Sequence, residues 1–104
     1  MADKNHIFSL IKNSVAINAP GATLILYGSY ARGDQRPDSD IDLLILVDAE
    51  KITHAAEDKI TFPLYDIEPI VGTTINPMVY TKEAWKNHRV TPFYENVNNE
   101  GLVL

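Results

Sequence analysis

An apolar run that opens with two aspartates restricts the fold of this chain more than any other feature. The run Ile41–Val47 has Asp40 directly before it and Asp42 inside it. Side chains two positions apart on a strand point to the same face, so these carboxylates are expected about 6–7 Å apart on one side of a β-strand. Because an unpaired charge inside a buried strand is costly, Asp42 calls for a functional explanation.

A glycine-serine turn precedes this strand. The apolar run Leu24–Tyr27 ends at Gly28-Ser29, and Arg32 follows one helical turn later. Gly28 permits the close backbone approach that phosphate binding demands, Ser29 offers a hydroxyl, and N–H groups at a helix start there would face an anion. Arg32 either adds positive charge to the turn or forms a surface ion pair. Two carboxylates beside such a turn suit Mg²⁺ carrying a triphosphate.

Size and charge narrow the class of protein. The chain has 104 residues, 45% of them hydrophobic, so we expect one small domain over residues 1–104. The net charge of −5 argues against an extended nucleic-acid surface, and the lack of cysteine excludes disulfides and thiolate zinc sites. No apolar run is long enough for a membrane span and the N-terminus does not resemble a signal peptide, which predicts a cytoplasmic location.

The order of predicted elements indicates a mixed α/β (α+β) domain, a small sheet flanked by helices. Helices are predicted over residues 3–18, from Ser29, over 60–71, over 81–88 and over 91–100; strands are predicted over 23–27, 41–47 and 74–80. Pro77 marks an edge position or a bulge. Pro69 lies inside the 60–71 pattern, so a strand over Leu64–Glu68 is the competing prediction.

These motifs carry a family resemblance. Gly28-Ser29-Tyr30-Ala31-Arg32-Gly33 followed by Ser39-Asp40-Ile41-Asp42-Leu43 resembles the signature of the DNA polymerase beta-like nucleotidyltransferase superfamily, and most closely its minimal (MNT) type. The resemblance implies the nucleotidyltransferase fold and Mg²⁺-dependent transfer of a nucleoside monophosphate, AMP from ATP, to an acceptor hydroxyl. Gly28 and Ser29 would contact the triphosphate, while Asp40 and Asp42 would hold the metals.

The resemblance also raises the question of a third carboxylate. Members of the superfamily usually carry one on a following strand, and the predicted strand 74–80 has no acidic residue. Asp66, or else Glu68, qualifies only if Leu64–Glu68 is extended. Without a third acid, metal and nucleotide binding remain possible while catalysis is in doubt.

The same resemblance also implies a partner protein. Many MNT proteins act as antitoxins beside a helical HEPN protein, and some modify it with AMP. The alternative function is therefore a catalytically weak or inactive antitoxin-type module that neutralises a HEPN-like partner by contact. A third interpretation is that a homo-oligomer or a partner chain supplies the acceptor pocket, because a domain of this size leaves little room for one.

Overall fold

Six helices and four strands make up residues 3–104, the part of the chain that the computed structural model describes. The helices are Lys4–Asn18 (α1), Ser29–Arg32 (α2), His54–Tyr65 (α3), Glu68–Val71 (α4), Lys82–Asn87 (α5) and Pro92–Glu100 (α6). The strands are Thr23–Tyr27 (β1), Ile41–Val47 (β2), Ile75–Thr81 (β3) and Leu102–Val103 (β4).

The strands form one mixed sheet in the order β3-β2-β1-β4. Strand β1 runs antiparallel to both β2 and β4, whereas β3 runs parallel to β2. The central position predicted for β2 is confirmed: its residues Leu43, Leu44 and Ile45 have no exposed surface. Burial on both faces explains why this strand is continuously apolar after its aspartates.

Helices cover the sheet on both sides. Side chains of α1 and α3 pack on one face, with Ile11 and Leu64 fully buried there against Leu43 of β2. Helices α5 and α6 cover the other face, where Trp85 and Val97 pack against the sheet. Since side chains alternate along β2, its residues Asp42, Leu44 and Leu46 belong to the α5/α6 face.

Side-chain caps fix where the helices begin. Asp3 accepts a hydrogen bond from the His6 N–H at 2.9 Å, as predicted for the start of α1. Thr81 does the same for α5 through the Ala84 N–H at 2.9 Å, and Thr91 for α6 through the Tyr94 N–H at 3.2 Å. These polar donors would otherwise lack partners at the helix ends.

The segment after β2 corrects one sequence-based alternative. A strand over Leu64–Glu68 is wrong, because α3 continues to Tyr65 and α4 begins at Glu68. Pro69 lies in the first turn of α4, where its missing N–H costs no intrahelical bond. The helical pattern over 60–71 is thus confirmed with a break between two helices, and it ends at Gly72 in a left-handed conformation as predicted.

The C-terminal strand β4 was not predicted. It has two residues and pairs with β1. No helix of residues 3–104 combines the length and the apolarity that a membrane crossing requires.

Candidate functional site

The two predicted metal ligands lie at the beginning of β2. Asp40 is exposed directly before the strand, and Asp42 is half-buried as its second residue. Ile41 between them has no exposed surface and packs into the α1/α3 core. This anchor, together with the pleat of the strand, places both aspartates on the α5/α6 side.

A neighbouring strand adds Asn76 to this pair. The parallel register of β3 on β2 places Asn76 beside Asp42, and the Asn76 side-chain amide donates a hydrogen bond to Asp42 Oδ1 at 3.1 Å. Sequence reasoning missed Asn76 because it looked for an acid on that strand and found none. The strand pairing itself identifies it, since a polar residue follows the buried Ile75 at the point level with Asp42.

The predicted glycine-serine turn packs directly against Asp42. Gly28 has φ 75° and ψ −158°, a backbone region that is essentially restricted to glycine. A Cβ atom at this position would overlap Oδ2 of Asp42. Ser29 begins the four-residue helix α2, whose first N–H groups have no intrahelical acceptor. The turn and the acidic pair, separate in sequence, therefore meet in one place.

Glu100, the last residue of α6, is a second residue that the sequence analysis missed. The Gly28 N–H donates to Glu100 Oε1 at 3.1 Å, and Arg32 Nη1 lies 3.1 Å from Glu100 Oε2. Arg32 also contacts Asp34 at 3.2 Å through Nε. Arg32 thus forms an ion pair in the structure, one of the two roles predicted for it. Glu100 connects Arg32 to the backbone of the turn.

Burial, more than the neighbouring charges, sets the electrostatics of Asp42. Burial is the largest cause of the raised pKa of Asp42, and the charges of Asp40 and Glu100 raise it further. The hydrogen bond from Asn76 and the charge of Arg32 lower this pKa. Burial first, and the charge of Asp42 second, raise the pKa of Tyr27 to about 12. Among residues 3–104, neither Asp40 nor Asp42 forms a salt bridge with a basic side chain.

The donor set fits a magnesium ion that is shared with a substrate. Mg²⁺ commonly binds one or two carboxylates together with substrate phosphates and water, and Asp40 and Asp42 offer this minimal pair. Over the described range, no three or more His, Cys, Asp or Glu side chains are grouped to hold a metal by themselves. Asp40 is exposed and Asp42 is half-buried, so both carboxylates can be reached from solvent.

The predicted candidates for a third carboxylate do not meet their condition. Asp66 is exposed at the C-terminal cap of α3, and the extended segment that would have aimed it at the pair does not exist. Glu68 begins α4 and its Oε2 accepts the Ile75 N–H at 2.7 Å, which fixes the start of β3. The prediction of Asp66 or Glu68 as a site residue required an extended segment at Leu64–Glu68. This segment is helical, so neither residue is supported as the third carboxylate.

Comparison with known proteins identifies the family. A family model described as a nucleotidyltransferase domain matches residues 9–95. The chain belongs to this family. The resemblance read from the glycine-serine turn and the aspartate pair is thereby confirmed, and the protein is a nucleotidyltransferase-domain protein.

Relatives of this nucleotidyltransferase domain agree with the assignment. It is 36% identical over 81 residues to a protein of Methanocaldococcus jannaschii named "Putative protein adenylyltransferase MJ0604". The aligned residues cover 78% of this chain and 75% of the relative. A solved structure of a toxin-antitoxin with AMP-PNP superposes with a TM-score of 0.63 at 18% identity, over 91% of this chain and 69% of that one. A structure of a mutant of the toxin-antitoxin pair MntA-HpeT superposes with a TM-score of 0.62 at 21% identity, over 100% of this chain and 72% of that one. These two similarities confirm the predicted fold class.

Proposed function

We propose that this nucleotidyltransferase transfers AMP from ATP to a hydroxyl group of a partner protein, with Mg²⁺ held by Asp40 and Asp42. The observation that carries the proposal is the meeting of Asp42 with Gly28. A half-buried carboxylate without a basic partner among residues 3–104 lies directly against the turn whose backbone can approach a phosphate. A bound cation would offset the repulsion between the two aspartates.

In this proposal the turn binds the triphosphate. The N–H groups at the start of α2 and the Ser29 hydroxyl donate to phosphate oxygens, and Arg32 supplies positive charge from the end of the same helix. Gly28 has no side chain, so the phosphate chain can lie close to the backbone beside Asp42. When bound, Mg²⁺ supplies neutralisation of the phosphate charge and polarises the phosphorus.

The reaction is an in-line displacement at the α-phosphorus. The acceptor oxygen forms a bond to this phosphorus, the bond to the bridging oxygen of the β-phosphate breaks, and pyrophosphate leaves. The proton of the acceptor hydroxyl passes to a carboxylate of the site or to solvent water, because the amide of Asn76 beside Asp42 is not a base. Orientation and electrostatic stabilisation by Asp40, Asp42 and the turn therefore carry most of the rate.

A protein as the acceptor is supported by two observations. Asp40 is exposed and Asp42 only half-buried, so a large acceptor such as a protein surface can reach the acidic pair. Similar folds occur in the toxin-antitoxin structures, and a relative carries a protein adenylyltransferase name. We place the acceptor hydroxyl on a HEPN-like helical partner, and a cytoplasmic location follows from the use of ATP.

Asn76 favours a second candidate function. With an amide where a third acid would be useful, the chain could bind nucleotide and partner without efficient transfer. It would then act as an antitoxin-type module that neutralises its partner by contact.

The test compares a double variant with a charge-matched control. ATP labelled at its α-phosphorus is incubated with the purified protein, Mg²⁺ and a co-expressed HEPN-like protein. Asp40→Asn with Asp42→Asn is expected to lower the transferred label at least about 100-fold, whereas the exposed pair Asp38→Asn with Asp48→Asn leaves it unchanged. Label that is equally strong with the first double variant would refute the proposal. Absence of label with the wild type, together with stable partner binding by both double variants, would establish the second function.

A further inference from the structure

The last residue of α6, Glu100, brings a carboxylate to the proposed triphosphate turn. Strand β4 pairs antiparallel with β1, and Leu26 lies opposite Leu102. Gly28 lies two residues after Leu26, and Glu100 lies two residues before Leu102. The hydrogen bond of 3.1 Å from the Gly28 N–H to Glu100 Oε1 continues this register. The position of Glu100 is therefore set by strand pairing and not by chance contact on a surface.

The Glu100 carboxylate uses the donors that an anionic ligand would need. Oε1 accepts from the Gly28 N–H at 3.1 Å and from Arg32 Nη1 at 3.3 Å, and Oε2 accepts from the same Nη1 at 3.1 Å. Hydrogen bonds to Glu100 and then to Asp34 raise the pKa of Arg32, so this guanidinium stays charged. A planar anion thus lies between a backbone N–H and a cation, the combination that also binds a phosphate oxygen.

We infer that Glu100 sets the affinity of the turn for the nucleotide, because the triphosphate must displace its carboxylate from Gly28 and Arg32. This inference rests on the proposed function, and it adds a residue that competes with the substrate. Before binding, Glu100 holds Arg32 and the turn in place. After binding, it is excluded by charge, since a carboxylate and a phosphate repel each other at the same donors.

Displacement requires little reorganisation. The Arg32 side chain is 46% exposed and that of Glu100 is 24% exposed, and ion pairs this open to water contribute little to stability. A rotation of the Glu100 side chain frees both donors without moving the backbone of α6. Gly101 behind it stays packed, since a Cβ there would overlap the Val97 carbonyl oxygen and crowd Ile25.

The charge of Glu100 also bears on the metal. Asp42 senses Glu100 as a repulsive neighbour and Arg32 as an attractive one. When the carboxylate leaves, the guanidinium is released toward the triphosphate while one negative charge is withdrawn from the acidic pair. The exchange therefore offsets part of the negative charge that the substrate brings close to Asp42.

Calorimetric titration with Mg²⁺-ATP and with inorganic tripolyphosphate tests the inference. Glu100→Gln keeps the shape of the side chain and removes its charge, and Glu100→Ala removes the carboxylate altogether. Both variants are expected to bind the two ligands about two- to five-fold more tightly, the size of one exposed ion pair relieved from competition. Glu95→Gln makes the same change of charge at an exposed position of α6 and is expected to leave both dissociation constants unchanged.

The outcomes separate this inference from the proposed function. Wild-type binding that depends on Asp40 and Asp42, with unchanged or weaker binding by both Glu100 variants, overturns the competition and leaves the proposed function intact. If neither the wild type nor either Glu100 variant binds Mg²⁺-ATP, both fall. Binding by the Glu100 variants alone supports the competition in its strongest form.

Discussion

The side-chain amide of Asn76 donates a hydrogen bond of 3.1 Å to Oδ1 of Asp42 across the parallel pair of β2 and β3. This contact satisfies one oxygen of a half-buried carboxylate without adding positive charge. An acid in place of Asn76 would have added repulsion and a third possible metal ligand. The chain therefore has a site that holds its charge more easily without a cation, and Asn76 supplies no base next to the pair.

Asn76→Asp is expected to lower the stability of the metal-free protein and to make that stability depend on Mg²⁺. A second carboxylate in register with Asp42 adds like-charge repulsion, which costs up to about 1 kcal/mol and lowers the melting temperature by several degrees without metal. Mg²⁺ should restore this loss and raise the transfer rate about ten-fold or more, because a positioned base is added. Thermal unfolding with and without Mg²⁺ measures the first effect. Asn76→Ala, which adds no charge, should show no extra response to Mg²⁺.

Asp42→Asn should preserve the fold while changing its pH dependence. The pKa of Asp42 is raised mainly by burial, so between the ordinary and the raised value the folded state binds more protons than the unfolded state. The contribution of this group to stability is therefore largest at low pH and is lost as the pH rises through the raised pKa. The asparagine side chain of the variant does not titrate, and its amide oxygen still accepts from Asn76.

Urea unfolding of the wild type and of Asp42→Asn across acidic to neutral pH measures this difference. The stability of the variant relative to the wild type should rise with pH and be at least equal to it at neutrality. A variant much less stable than the wild type at neutral pH would mean that the carboxylate serves the fold.

Gly28→Ala is expected to damage both stability and nucleotide binding. The new Cβ overlaps Oδ2 of Asp42 and occupies a backbone region that is almost closed to other residues, at a combined cost of about 2–4 kcal/mol. Gly33→Ala is the matched control: it has φ 81° at the end of the same short helix, and its Cβ meets nothing within 4 Å. This control should cost only the left-handed strain, about 1–2 kcal/mol. Chemical unfolding of the two variants separates crowding from strain.

Gly101→Ala tests the packing that places Glu100. Gly101 has φ −68°, so alanine is acceptable to its backbone, yet its Cβ would overlap the Val97 carbonyl oxygen and lie 2.8 Å from Ile25 Cγ2. We expect a loss of about 1–3 kcal/mol from overpacking. Amide exchange at Leu102 and Leu104 should also increase as β4 loosens. Asn99→Ala, at an exposed neighbour, should alter neither measurement.

Local chemistry made much of the fold predictable. Threonines before α5 and α6, the glycine after Val71 and the apolar run of β2 all act through neighbouring residues, so their elements were found from the sequence. The site was predictable to the same extent: Gly28, Ser29, Arg32, Asp40 and Asp42 fall in one segment. Their catalytic and binding roles stay predictions until they are measured.

The missed site residues depend on strand pairing over long distances in sequence. Asn76 is 34 residues from Asp42, and Glu100 is 72 residues from Gly28. Strand β4 has two residues and no hydrophobic alternation, so only its register on β1 defines it. Asp66 was chosen for its charge, and the helical continuation of α3 decided against the strand it needed.

Both edge strands of the sheet are poor partners for a strand of another chain. On one side β3 contains Pro77, which has no N–H to offer to an incoming chain, and on the other side β4 spans only Leu102 and Val103. An intermolecular ribbon would therefore find no long template on the part of the molecule that residues 3–104 form. Resistance to amyloid-type stacking is thus built into the same sheet that presents Asp40 to solvent.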